Sequence, residues 1–118
     1  TFVIVGLIGD EENQRIIATG SYYLNRSVNL AEIAFTVTKD HRNQGLTRHM
    51  LLKLIDIAKE KGVAGFMGEV LIRNDPMMHI LKSIPYQIKF EGVGDSFEFV
   101  FKFADEKKLP QQPQSISQ

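Results

Sequence analysis

Cysteine is absent from the 118 residues. That excludes a disulfide frame, a thiolate metal site and a cysteine nucleophile, and it fits a reducing compartment. Net charge is missing too, since 14 Lys+Arg balance 14 Asp+Glu. No overall field recruits nucleic acid or an anionic membrane, so a charged ligand has to be held by a local arrangement. No apolar stretch reaches the ~18 residues of a membrane span, and no charged n-region precedes an apolar h-region. His41, His49 and His79 include no pair four apart on one helix face, which argues against a metal site. The phosphate loop of nucleotide hydrolases, GxxxxGK[ST], is not found. These absences lead to the expectation of a soluble, cytoplasmic protein without nucleic-acid, membrane or metal partners.

What is present suffices for one compact core, with 43% of the residues hydrophobic, but not for two. "TFVIVGLI" is short, apolar and β-branched, and the turn chemistry of "GDEEN" predicts a hairpin between residues 2–8 and 15–23. In "AEIAFTV", Ile33, Phe35 and Val37 alternate with Glu32, Ala34 and Thr36, which predicts a third strand. From Leu46 the apolar positions 46, 50, 51, 54, 55, 57 and 58 form a helical stripe, and Gly62 is its stop. "VAGFMGEVLI" reads as a strand; Asp75 before Pro76 predicts an N-cap and a short helix burying Met77, Ile80, Leu81 and Ile84. A Gly-Val-Gly-Asp turn then joins two alternating strands, with Phe97, Phe99, Phe101 and Phe103 on one core face. From Lys107 the chain is polar and rich in proline and glutamine, with too little apolar surface to fold.

The stretch "DHRNQGLTRHMLL" lies where the strand ending at Val37 gives way to the long helix. The free N–H groups of a helix's first turn attract anions, Gly45 lets the backbone approach one closely, and Arg42, together with Arg48, supplies charge. A diphosphate fits such a place, and so does an ordinary solvated loop with a glycine turn. Spacing does not separate the two.

The same stretch resembles the coenzyme A motif of GNAT-family acyltransferases, Q/R-x-x-G-x-G/A ahead of an amphipathic helix. Here it reads Arg42, Asn43, Gln44, Gly45, Leu46, Thr47, with threonine at the last position. "GEVLIRNDPMMHILKSIPY" resembles the strand, Asn, Met and helix block of protein-lysine acetyltransferases of the Pat type, matching at Glu69, Asn74 and Met77. "AEIAFTV" resembles that group's central strand. The resemblance implies an α/β (α+β) fold, a GNAT-like, mostly antiparallel twisted sheet with a long coenzyme-binding helix and a second, shorter one. It also implies that a strand and a helical pair precede this chain, which is then the C-terminal part of a longer protein of the kind fused to acyl-CoA synthetase or transferase modules. Residues 1–106 are expected to form a single domain and 107–118 a tail.

Acetyl-CoA is the implied cosubstrate, with an amine as acceptor, a protein lysine above others, and a homodimer is compatible with the family. Glu32 takes the place of the catalytic glutamate that deprotonates the amine, although a strand glutamate can equally point to solvent. A backbone N–H at Val37 or Thr38 takes the role of oxyanion donor. Asn74 either bonds the coenzyme or ends its strand, and Tyr22, Tyr23 and Tyr86 either line an acceptor pocket or pack. The tyrosine with which many members protonate the leaving thiolate corresponds to Leu81. The alternative function is a non-catalytic acyl-CoA sensor that regulates a fused or partner enzyme.

Overall fold

A computed structural model describes residues 2–8, 15–38 and 45–107. Strands β1 (Phe2–Ile8), β2 (Arg15–Asn25) and β3 (Leu30–Val37) precede helix α1 (Leu46–Glu60). After it come β4 (Gly65–Leu71), helix α2 (Asp75–Ser83), β5 (Tyr86–Val93) and β6 (Ser96–Glu106). The strands form a six-stranded sheet in the order β1-β2-β3-β4-β6-β5. Every neighbouring pair is antiparallel except β3 and β4. A parallel pair needs a long crossover, and α1 supplies it. This is the mixed α/β architecture that the sequence patterns and the resemblance imply.

Period-two side-chain alternation divides the sheet into two unlike faces. Leu24, Ala31, Phe66, Phe101 and Ile88 follow one another across five strands, and this row lies in the core. The next row, Tyr23, Glu32, Met67, Val100 and Lys89, points to the other side. Both helices pack on the first face, where Leu51, Leu54, Ile55, Leu81 and Ile84 join the aromatic rings in one cluster. Phe66 stands at its centre, with ring centroids 5.7 Å from Tyr22, 5.9 Å from Phe101 and 5.1 Å from Phe103. Of the phenylalanine stripe, Phe99, Phe101 and Phe103 are buried and Phe97 packs at the cluster's margin. One residue before Phe66, β4 and β6 run close together at Gly65, where a Cβ would collide with the Phe101 carbonyl oxygen.

Helix α1 buries five of its stripe positions, Met50, Leu51, Leu54, Ile55 and Ala58, while Leu46 and Ile57 are half-buried. It stops as expected at Gly62, whose φ of 78° is left-handed. The N–H of Val63 donates to Ala58 O at 3.0 Å and that of Gly62 to Lys59 O at 3.1 Å, a Schellman closure of the last turn. Helix α2 corrects the expected cap by one residue. Asn74, not Asp75, is the N-cap, accepting from the Met77 N–H at 3.2 Å through Oδ1. Asp75 follows with its charge beside the helix N-terminus, and Pro76 sits where a missing N–H costs little. A second correction concerns Lys107, placed in the tail by its composition. Its N–H donates to Pro85 O at 2.8 Å, so it is tied to the approach to β5. Residues 108–118 lie outside the described residues.

The packing of α1 generates a test of the fold alone. Leu54 is fully buried and Lys53 exposed. We expect Leu54→Asp to lower stability by several kcal/mol, because it buries a carboxylate among apolar side chains. Lys53→Asp should stay within about 0.5 kcal/mol. Thermal melting of the two variants checks this, and equal shifts would mean that the buried face of α1 is wrong.

Candidate active site

The parallel pairing of β3 and β4 is short. It covers Leu30–Glu32 against Gly65–Met67. Beyond that point β3 stays in register with β2 as far as Val37, and β4 stays in register with β6 as far as Leu71. Each strand follows its antiparallel partner, and the two part. A cleft of about 800 Å³ opens at the parting. Phe35, Thr36 and Val37 line it from β3, Gly45, Leu46, Thr47 and Arg48 from the start of α1, and Asn74 and its successors from α2.

The β3 wall offers backbone groups. Thr38 donates its N–H to Ile17 O at 2.8 Å, on the β2 side. Successive strand residues alternate, so the N–H groups of Val37 and Phe35 turn the other way, toward the gap. Of the two expected oxyanion donors, the Thr38 N–H is therefore committed to the sheet, and the Val37 N–H is the one that faces the cleft.

The opposite wall is the first turn of α1. Gly45 is its N-cap, with φ 73° and ψ 5°, and no side chain caps the turn. The left-handed φ favours glycine, while a Cβ at this position would meet nothing within 4 Å. Conformation and open approach, not packing within the chain, account for the residue. The first helical bond runs from His49 N–H to Gly45 O at 3.1 Å, and no acidic side chain occupies the first turn. The remaining N–H groups of the turn and Arg48 make this end of the cleft positive. Arg42, Asn43 and Gln44, the first half of the expected coenzyme motif, lie outside the described residues.

The expected site residues divide into three groups. Val37, Gly45, Leu46, Thr47 and Asn74 come together around the cleft. Thr38 borders a smaller depression of about 200 Å³ beside Ile16 and Ile17. Glu32 stands apart from both, exposed on the face away from the helices, at the last paired step before β3 and β4 separate. Its direct neighbours are Tyr23 on β2 and Met67 on β4. The three tyrosines separate as well. Tyr22 and Tyr86 are buried in the core, where burial pushes the Tyr22 phenol above its ordinary pKa, whereas Tyr23 is 67% exposed beside Glu32.

Sequence reasoning missed part of the lining. Pro76, His79 and Ile80 from α2 face the cleft, as does Met77, and the periodicity of α2 marks Met77 and Ile80 only as core. Both are half-buried, because one flank of the helix packs and the other borders the opening. Among the described residues no group of three His, Cys, Asp or Glu converges on a metal position, and no helix is long and apolar enough to cross a membrane.

Comparison with known proteins agrees with this geometry. Among solved structures, a domain from Methanocaldococcus jannaschii is similar with a TM-score of 0.71 at 12% identity, over 86% of this chain and 66% of that one. The GNAT domain of S. lividans PAT is similar with a TM-score of 0.65 at 25% identity, over 75% and 55%. The PaiA N-acetyltransferase from Thermoplasma acidophilum, in complex with coenzyme A, has a TM-score of 0.65 at 17% identity, over 75% and 54%. The chain thus spans between about half and two thirds of the length of these proteins. No curated protein matches it by sequence. A sequence profile of the acetyltransferase (GNAT) family matches residues 2–83, and with the parted parallel strands and the glycine-capped helix this places the chain in that family.

Proposed function

We propose that this domain binds acetyl-CoA in the cleft between β3 and β4 and transfers the acetyl group to an amine, most simply a protein lysine. The observation that carries the reading is the parting of the parallel strands directly in front of the N-terminus of α1. A thioester-bearing arm fits a gap edged by strand N–H groups, and a diphosphate fits the first turn at Gly45–Thr47. The Pat-type match at Glu69, Asn74 and Met77 supports the lysine acceptor. Asn74 contributes as the cap that starts α2, and in that way shapes the cleft wall. We read residues 1–106 as one acyl-CoA-binding domain, working in the cytoplasm.

In this mechanism the acceptor arrives on the open face of the sheet, where Glu32 stands. An alkyl ammonium has an ordinary pKa near 10.4 and must lose a proton to become a nucleophile. Glu32 accepts it, directly or through a water. The amine nitrogen attacks the thioester carbonyl carbon, the carbonyl oxygen takes up negative charge opposite the Val37 N–H, and collapse breaks the C–S bond. The nitrogen, cationic after attack, gives up its second proton to solvent as the sulfur leaves as thiolate and is protonated by solvent, an exit that an ordinary thiol pKa near 8.5 permits without a strong acid.

One observation favours a second reading, a regulatory acyl-CoA sensor. Leu81, at the position implied for the acid, is apolar and fully buried. Helix α2 therefore presents no proton donor there.

Two measurements test these readings in the full-length protein. Gly45→Asp can retain the left-handed turn, since aspartate tolerates it better than most residues, but sets a carboxylate against the diphosphate. Calorimetry should show acetyl-CoA affinity about 10-fold weaker or worse, and an unchanged affinity would sink the cleft assignment. Glu32→Gln keeps shape and removes basicity, so acetyl-CoA affinity should hold while transfer to lysine peptides falls about 10²-fold or more. Transfer at the wild-type rate would make Glu32 an ordinary strand glutamate. Binding without any transfer in the wild type, coupled to altered activity of a partner enzyme, would establish the sensor.

A further inference from the structure

Three glutamates stand side by side on the open face of the sheet. Glu69 of β4 is paired with Glu98 of β6, and Glu98 with Glu91 of β5. All three are exposed, and among the described residues none has an ion-pair partner. Like charges directly opposite one another destabilise a sheet. The row ends at β5, which is an edge of the described sheet. Lys89 lies two residues before Glu91 on the same strand and face, in a row whose members on β4 and β6 are the uncharged Met67 and Val100. A lone lysine on an edge strand guards it against pairing. Here a glutamate follows the lysine at period two, so the edge carries a charge pattern that complements itself when turned end for end.

The backbone of the edge is in the matching phase. Strands β5 and β6 are joined by the two-residue turn of Gly94 and Asp95, with Gly94 at φ 62°, and the pair that closes it is Val93 with Ser96. A hairpin of this kind closes on a pair that exchanges both backbone bonds, and bonded pairs alternate with unbonded ones. Val93, Glu91 and Lys89 therefore spend their N–H and C=O groups on β6, while Gly92, Phe90 and Ile88 turn theirs to the free edge. We infer that the β5 edge is a self-association surface whose partner is a second copy of this chain, with the two β5 strands antiparallel about a twofold axis at Phe90. In that register Phe90 faces Phe90 of the other copy and Ile88 faces Gly92, so the outward backbone groups meet. Lys89 of each copy faces Glu91 of the other in the unbonded pairs, where side chains come closest. Each glutamate row then ends on a lysine instead of on solvent. On the helix side Ile88 and Phe90, half-buried in one chain, are covered further, and Gly92 opposite Ile88 adds no side chain to obstruct it. The surface is the same patch on both copies, so the assembly closes as a dimer. The inference goes beyond the proposed function and does not depend on it.

Sedimentation equilibrium of the full-length protein over a concentration series reads the association. The wild type should behave as a reversible dimer. Lys89→Glu sets glutamate against glutamate, and the twofold axis repeats the clash, so the dissociation constant should rise about 10-fold or more. Glu91→Lys should do the same with lysines. The two substitutions together restore opposite charges across the axis and should return the dissociation constant to within about 3-fold of the wild type. Both side chains are exposed, so each variant should keep its fold, read as an unchanged circular dichroism spectrum. A wild type that stays monomeric at every concentration would overturn the inference, whether its own tail or another protein takes the edge. A dimer indifferent to the single substitutions, or weakened by them and not restored by the pair, is built on another face and would overturn it equally. Either result leaves the acetyl-CoA reading standing, because calorimetry tests that separately.

Discussion

The site depends on one constraint, the competition of two antiparallel pairings against a single parallel one. Strand β3 is held by β2 over eight residue pairs and β4 by β6 over seven, while β3 and β4 share three. Sheets twist, and two strands that each follow a different partner diverge unless they are themselves well paired. The cleft is therefore a consequence of which strands have strong partners. The same divergence leaves the N–H groups of Phe35 and Val37 facing a gap, where a buried donor would otherwise carry an energetic penalty. A ligand that extends along β3 can satisfy them.

Charge is arranged to match. Over the whole chain it cancels, yet at the start of α1 helix N–H groups and Arg48 accumulate with no acidic residue in the turn. Gly45 makes this possible in two ways, by taking the left-handed conformation that opens the helix and by leaving the approach clear. On α2 the Asn74 cap fixes where that helix begins, and the Ser83 hydroxyl accepts from Arg48 Nε across to α1.

The two faces of the sheet are unlike in covering and polarity. Both helices cover one face and border the cleft there, the side from which the proposed cosubstrate would enter. The other face carries Glu32 and the exposed Tyr23, at the last paired step before β3 and β4 part. The polarity of each face follows from strand alternation, since Ile33 and Phe35 turn inward on the same strand on which Glu32 turns out.

Much of this was legible in the sequence, and the remainder had a physical reason for being hidden. The stripe of α1, its Gly62 stop, the alternation of β3 and the phenylalanine face of β6 are local periodicities, and local periodicity is written directly into residue order. The glycine before Leu46 was legible as the turn residue at the start of that helix for the same reason. Where neighbours competed for a role the reading slipped by one residue, as with Asn74 and Asp75, because either side chain can cap and only backbone geometry selects the one that reaches Met77 N–H. What no local pattern contains is the pairing of β3 with β4 and the extent of that pairing. Those decide that Met77 and Ile80 border a cleft, that Thr38 spends its N–H on Ile17, and that Ser83 meets an arginine 35 positions earlier. The sequence by itself determined the elements, their buried faces and the chemistry that each could offer. Only the tertiary structure decided which of them share a site, since that turns on long-range strand competition that leaves no periodic trace.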